Sequence, residues 1–419
     1  MKLMLIIATF LLNISAHANL SDVKSWIEKN HVKDKVNKVL SNGIKASLRR
    51  DIPGNKFVFL GEADHYFHEK YTYRIAFIKE LLKLGYYNIY EEMGTASARR
   101  ANLFLETGNE DYLKQIGLFG FKYGEPLKYR DIVQVKESVR FFKELRKLKK
   151  SYPKLKFAGF DLDMRPGTAY LDFDKFSNRS DVIKFAKKNK SFSQSLKSFE
   201  KSKRSDFKRL YLESGLKAAQ KVRSLGIREV KDYDHFLHFY KSFKDSVIFD
   251  EDIKKKPFNW SIFDWREKRM FEIMTYVLKN EKPHEKYIFL GHNGHLIKTD
   301  KQNSNGKRYN DWDTIGAWIT KRYPNRVFAI WSFIGRGEHR GHHCSGRKTC
   351  TIKLIPETLE ESLYEISPDK GIYFKNSQVI KDNEDLIQTV VNGYEPTFGK
   401  YGEAADAFYF IPEVTDLRD

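Results

Sequence analysis

Lys56-Phe57-Val58-Phe59-Leu60-Gly61-Glu62-Ala63-Asp64-His65 sets the architecture of the chain. Four consecutive apolar residues stopped by a glycine are too few for a buried helix. They read as a strand covered on both faces. Charged residues and a histidine follow at once. The pattern recurs along the chain. Tyr87-Asn88-Ile89-Tyr90 runs into Glu91-Glu92, and Leu155 to Phe160 ends at Asp161-Leu162-Asp163. Tyr287 to Gly291 ends at His292-Asn293-Gly294-His295, and Arg326 to Phe333 is a further strand.

Helical patterns separate these strands, over 69–84 (closing at Gly85), 131–149, 262–280 and 313–322. Strands alternating with helices give an α/β fold, with a largely parallel central sheet flanked by helices. Residues 19–50 carry helical periodicity ending near Gly43, and the charged segment 180–250 reads as a helical insertion or cap. Residues 341–419 hold short strand-like runs and are expected to form a C-terminal appendage or sheet edge. The main α/β domain is then 19–340.

The N-terminus combines Met1-Lys2, an apolar run from Leu3 to Leu12, and Ala16-His17-Ala18. This reads as a signal peptide (1–18) cleaved after Ala18, with a periplasmic or secreted mature protein. The apolar run is too short to span a membrane comfortably. Two cysteines, Cys344 and Cys350, bound a short loop. In an oxidising compartment they are expected to pair as a disulfide. Metal binding with His339, His342 and His343 is the weaker reading, because no C-x-x-C spacing is present.

The chain has 419 residues, 41% of them hydrophobic, so it holds ample material for a packed core. Its formal net charge of +20 would draw anionic envelope components to the surface. The lysines are spread and mixed with acids, and no nucleic-acid-binding signature accompanies them, so no specific nucleic-acid partner is expected.

In open α/β sheets ligands sit outside the carboxyl ends of the strands. The polar clusters at four strand ends would therefore share one crevice. Glu and His there suit general acid–base work, the histidine taking a proton and a carboxylate fixing its tautomer. Arg74, on the helix after the first strand, could offer a fork to an anion or a developing oxyanion. It could equally be a surface helix residue. A zinc reading competes, because His65-x-x-His68 and His292-x-x-His295 with Glu62 and Glu92 hold enough ligands. On chemistry alone the metal-free and metal readings stay open. G-x-S-x-G, G-x-G-x-x-G and P-loop motifs are missing. Tyr66, Phe67 and Phe160 could line an apolar pocket.

Three of these clusters together resemble the erythromycin esterase family. Its members carry G-E-x-x-H-G-x-x-E, an Arg nine residues after that His, a G-F-x-x-x-x-x-E strand and a late H-N-x-H. Glu62, His65 and Glu69 match the first segment, and Arg74 lies nine residues after His65. Gly85-Tyr86 to Glu92 matches the second strand, Gly159-Phe160-Asp161 a middle G-x-D, and His292-Asn293-Gly294-His295 the last motif. The resemblance spans roughly residues 56–337.

It implies a hydrolase with no cofactor and no metal, acting on a small-molecule ester or lactone. In the family's known members the substrate is a macrolide lactone. His65 would activate water, Glu62, Glu92, His292 and His295 would position or assist, and Arg74 would support the site. Asp64, Tyr66 and Asp161 are the candidate substrate-binding residues. The alternatives are an exported haem- or metal-binding protein using the same histidines, and a zinc-type metallohydrolase. Two departures stand out: Tyr66 replaces the glycine expected after His65, and Asp64 adds a carboxylate before it.

Overall fold

The run Phe57–Glu62 is buried at all six positions, as expected of a strand enclosed on both faces. It is β2 of a computed structural model. The structure describes residues 20–115, 129–162, 178–190, 260–279, 282–299, 314–339, 349–383 and 401–418. Short pieces at 193–194, 197, 241, 245, 248, 303–304, 307–308, 388–389 and 397–398 complete it. The expected signal peptide, Cys344 and most of the 180–250 segment lie outside the described residues.

The chain begins with α1 (20–30), β1 (Val32–Asp34), α2 (Asn42–Asp51), β2, α3 (Glu69–Lys83) and β3 (Asn88–Gly94). α4 (Thr95–Thr107), α5 (Tyr129–Ser151), β4 (Lys156–Asp161) and β5 (Tyr287–His292) follow. Then come the short pair β6 (Asn303–Ser304) and β7 (Lys307–Arg308), and the long strand β8 (Val327–His339). β9 (Cys350–Ile352), β10 (Gly371–Lys375), the pair β11 (Gln388–Thr389) and β12 (Thr397–Phe398), and β13 (Ala407–Val414) close the list.

The main sheet has the order β1-β10-β13-β8-β2-β5-β3-β4, with β9 added against β8. β2 runs parallel to both β5 and β8, β3 is parallel to β5, and β13 is parallel to β8. β1, β9 and β10 pair antiparallel. The sheet is therefore mixed α/β with a parallel centre.

Two compact units divide the chain. The first comprises residues 1–92, 129–157 and 271–419 and contains the parallel centre of the sheet. Its core is aromatic: Phe59 and Phe289 meet edge to face at 5.4 Å, and Phe333 stacks on Phe408 at 5.5 Å. The second comprises 93–128 and 158–270 and holds α4 and the helix Ser180–Lys188.

One stretch differs from the sequence expectation. Residues 19–50 do not form one helical segment ending near Gly43. They fold as α1, the strand β1 and α2, with Gly43 inside α2. Asp34 explains the break. Its buried carboxylate accepts from the Tyr409 hydroxyl and the Ser41 N–H, both at 2.8 Å. Those bonds, and the pairing of β1 with β10, hold the chain extended where local periodicity suggested a helix. The segment 341–419, expected as an appendage or a sheet edge, contributes β10 and β13 to one side of the main sheet, with β13 between β8 and β10. Only the far contact with β8 reveals this, and a short apolar run cannot announce it.

Among the described residues no helix is long and apolar enough to cross a membrane.

Candidate active site

Parallel register brings the first two site residues together. Glu62 ends β2, His292 ends β5, and the two are direct partners across the ladder. Glu91 and Glu92 lie within β3, on the other side of β5. His65 and His295 each sit three residues beyond a strand end, so the loops after β2 and β5 return them over the same carboxyl edge.

Glu62 accepts a hydrogen bond from His65 Nδ1 at 2.6 Å. In the neutral ring this puts the lone pair on Nε2, which lies 3.9 Å from Glu92 Oε1. Glu92 also accepts from the His292 backbone N–H at 2.7 Å and faces His295 Nε2 at 3.1 Å. One carboxylate thus joins three histidines. The rings of His65 and His292 lie 5.3 Å apart.

His292 has a different role from His65. Its Nε2 donates to the Ala63 carbonyl at 3.1 Å, and its Nδ1 accepts from the Gly294 N–H at 3.1 Å. Both nitrogens are used by the neutral ring. Burial and the neighbouring rings of His65 and His295 push its pKa down to about 4, against the pull of Glu92 and Glu62. The neutral ring of His292 thereby ties the loops after β2 and β5 to each other.

A buried charge layer lies beneath. α3 turns Lys70 and Arg74 inward, each 1% exposed in its side chain. Arg74 contacts Glu62 at 2.8 Å and Glu91 at 3.1 Å, and Lys70 is 3.5 Å from Glu62. Burial alone would raise the pKa of Glu62, but Arg74, Lys70 and His65 outweigh it and hold Glu62 at about 2. Glu91 is raised: burial, with Glu62 and Glu92 nearby, outweighs Arg74 and Lys70. Burial works against the Arg74 cation, yet Glu62 and Glu91 more than compensate and its pKa is raised. Arg74 is therefore not a surface residue: its guanidinium faces Glu62 and Glu91. It keeps Glu62 ionised.

Backbone packing holds the strand ends. Asn293 is fully buried and donates to the Ser332 carbonyl at 2.8 Å. A Cβ on Gly61 would lie 2.1 Å from Asn293 Oδ1, so any other residue there would displace the Asn293 side chain. Ser332 Oγ accepts from the Ala63 N–H at 3.2 Å, and the Tyr73 hydroxyl donates to the Gly61 carbonyl at 2.9 Å.

The remaining predicted residues have distinct surroundings. Asp64 pairs with His339 Nδ1 at 3.0 Å and accepts from the Tyr66 N–H at 2.8 Å. Tyr66 is 1% exposed and belongs to the core. Asp161, within the second unit, takes a two-point contact from Arg266 at 3.1 and 2.6 Å. Its backbone neighbour Leu162 donates to it as well. Cys350 begins β9, opposite His339 in the ladder. The expected disulfide involves Cys344, outside the described residues.

Lys70, Glu91, Asn293 and Ser332 were not singled out as site residues from the sequence, and Asp64 and His339 were named there but not as partners. Lys70 lies four residues before Arg74, the spacing that places two side chains on one helix face. Nothing local flags Ser332 or the pairing of His339 with Asp64, since in both cases the partner is over 250 residues away in the chain.

Comparison with known proteins bears on the same residues. The model of the family described as erythromycin esterase matches residues 83–413. Glu92, His292 and His295 fall inside that match, while Glu62, His65 and Arg74 precede it. A Bacillus cereus protein of known structure superposes with a TM-score of 0.72 at 16% identity, covering 96% of this chain and 99% of that one. A succinoglycan biosynthesis protein gives 0.68 at 15% identity, covering 94% and 97%. An erythromycin esterase variant in its open conformation gives 0.61 at 14%, covering 92% and 98%. No curated protein matches the chain.

Proposed function

Since the chain belongs to the erythromycin esterase family of hydrolases, we propose that it hydrolyses an ester or lactone by general acid–base activation of water, with His65 as the base. The observation that carries this is the 2.6 Å contact between Glu62 and His65 Nδ1. It directs the Nε2 lone pair away from Glu62 and leaves a carboxylate to stabilise the imidazolium.

In this reading Nε2 removes a proton from water as the water oxygen attacks the ester carbonyl. The carbonyl π electrons move to oxygen, giving a tetrahedral intermediate. Collapse expels the alkoxide, which takes the proton back from His65. Glu62 and Glu92 flank the imidazolium while it exists, through Nδ1 and at 3.9 Å from Nε2. Arg74 and Lys70 keep Glu62 charged, so it acts as an anion and not as a second acid.

The mature protein is proposed to act outside the cytoplasm after loss of residues 1–18, with Cys344 and Cys350 paired. The full chain's net charge of +20, of which residues 1–18 supply only Lys2, supports contact with anionic envelope components. The test is turnover of p-nitrophenyl acetate and a lactone panel by wild type and His65→Asn. Catalysis lost in the variant supports the reading, and equal rates in both overturn it.

A further inference from the structure

The loop carrying His65 continues into α3, and the chain after β13 grips it from outside. Phe67 bridges to Asp416. The His68 N–H donates to the Thr415 carbonyl at 2.9 Å. Thr415 returns two donors to Glu69, its N–H to Oε2 at 2.7 Å and its hydroxyl to Oε1 at 2.6 Å. Glu137, on α5, accepts from His68 Nδ1 at 2.8 Å and from the Arg418 N–H at 2.7 Å. Arg140 donates to the Arg418 carbonyl at 2.7 Å.

We infer that residues 415–418 are a positioning clamp for His65, acting through Glu69 and Glu137. The inference rests on His65 being the base, as proposed above. Three of the residues that directly follow His65 and Tyr66 are each tied to this tail. A carboxylate held by two donors has one orientation, and charged hydrogen bonds are the stronger kind. The tail also continues β13, which pairs with β8, which pairs with β2. The clamp therefore ties the loop back to the strand whose end carries Glu62. Precision matters here, because a shift of about 1 Å in a reacting group can cost on the order of 10²-fold in rate. Thr415 and Arg418 touch no reacting atom and are positioning residues only.

The test compares Thr415→Val, which removes the hydroxyl donor, with Thr415→Ser, which keeps it. Thr415 is exposed at the surface, so neither change should unfold the protein. Glu69→Gln, which keeps the shape and removes the charge, is the second probe. Hydrogen exchange of amides 63–69 is read together with kcat and KM for p-nitrophenyl acetate. Thr415→Val should speed exchange in 63–69 alone and lower kcat about fivefold, with KM unchanged. Thr415→Ser should restore both. Unchanged exchange in both Thr415→Val and Glu69→Gln would overturn the clamp, as would a change in KM alone. If wild type turns over no ester, the reaction proposed above fails, and the exchange readout still decides the clamp.

Discussion

Glu62 and His292 are paired residue for residue at the ends of adjacent parallel strands, yet they carry opposite electrostatic character. Glu62 is held ionised, with a pKa of about 2, while His292 is held neutral, with a pKa of about 4. The difference comes from their partners. Glu62 faces Arg74, Lys70 and His65, whereas the ring nitrogens of His292 face a carbonyl and an amide. The Glu62–His65 pair can therefore move a proton above a rigid, charge-sorted floor.

The Glu62 anion is expected to matter more than its hydrogen-bonding capacity. Glu62→Gln keeps an acceptor for His65 Nδ1 but removes the charge that stabilises the imidazolium. Turnover should fall about 10²–10⁴-fold, by analogy with the loss of the buried carboxylate in a serine-protease triad. A steady-state assay of p-nitrophenyl acetate hydrolysis checks this. Full activity in the Gln variant would assign Glu62 a packing role.

His292 makes a prediction about pH and stability. Its pKa is about 4 in the folded chain, against 6.5 for an ordinary histidine. Between those values the unfolded chain binds the extra proton, so stability rises with pH from about 4 to 6.5 and is flat above. The contribution lost on acidification is about 1–3 kcal/mol. Glu62 acts in the same direction lower down: its stabilisation is present above about 4.5 and lost as pH falls toward 2. Urea unfolding of wild type and His292→Asn at pH 4.5 to 7.5 separates the two. The Asn variant should show a shallower slope above pH 5.

Arg74 holds two buried carboxylates. Arg74→Met would leave Glu62 and Glu91 facing each other with Lys70 and the His65 hydrogen bond for compensation, a loss of about 3–5 kcal/mol. Denaturant melts at pH 7 measure it. A loss under 1 kcal/mol would contradict the inward placement of the guanidinium.

Gly61 tests the backbone support. A methyl group there would displace the Asn293 side chain from its bond to Ser332. Gly61→Ala should cost roughly 2–4 kcal/mol through overpacking and a broken buried hydrogen bond. Gly61→Ala combined with Asn293→Ala should recover part of the loss, since the clash is then gone.

Much of this arrangement was legible in the sequence because strands buried on both faces advertise themselves as apolar runs. Phe57 to Leu60 and Tyr287 to Leu290 carry no polar alternation, and their ends name Glu62 and His292 directly. The E-x-x-H and H-N-x-H spacings were readable for the same reason. Partners set by tertiary contact were not readable. Asp34 holds β1 extended only because Tyr409 reaches it from β13. Arg74 looks like any helix arginine until α3 is seen packed over Glu62 and Glu91. His339 meets Asp64 only through the far end of β8. Thr415 has no local motif at all, and its role is visible only beside Glu69.

The measurement that tests the central claim most directly is the kcat/KM for p-nitrophenyl acetate of wild type and His65→Asn, each assayed after exhaustive treatment with a chelator. Wild type should keep its activity through chelation, and His65→Asn should lose at least about 10²-fold, the scale of general-base catalysis. Activity retained in His65→Asn, or abolished in wild type by the chelator, would contradict the claim.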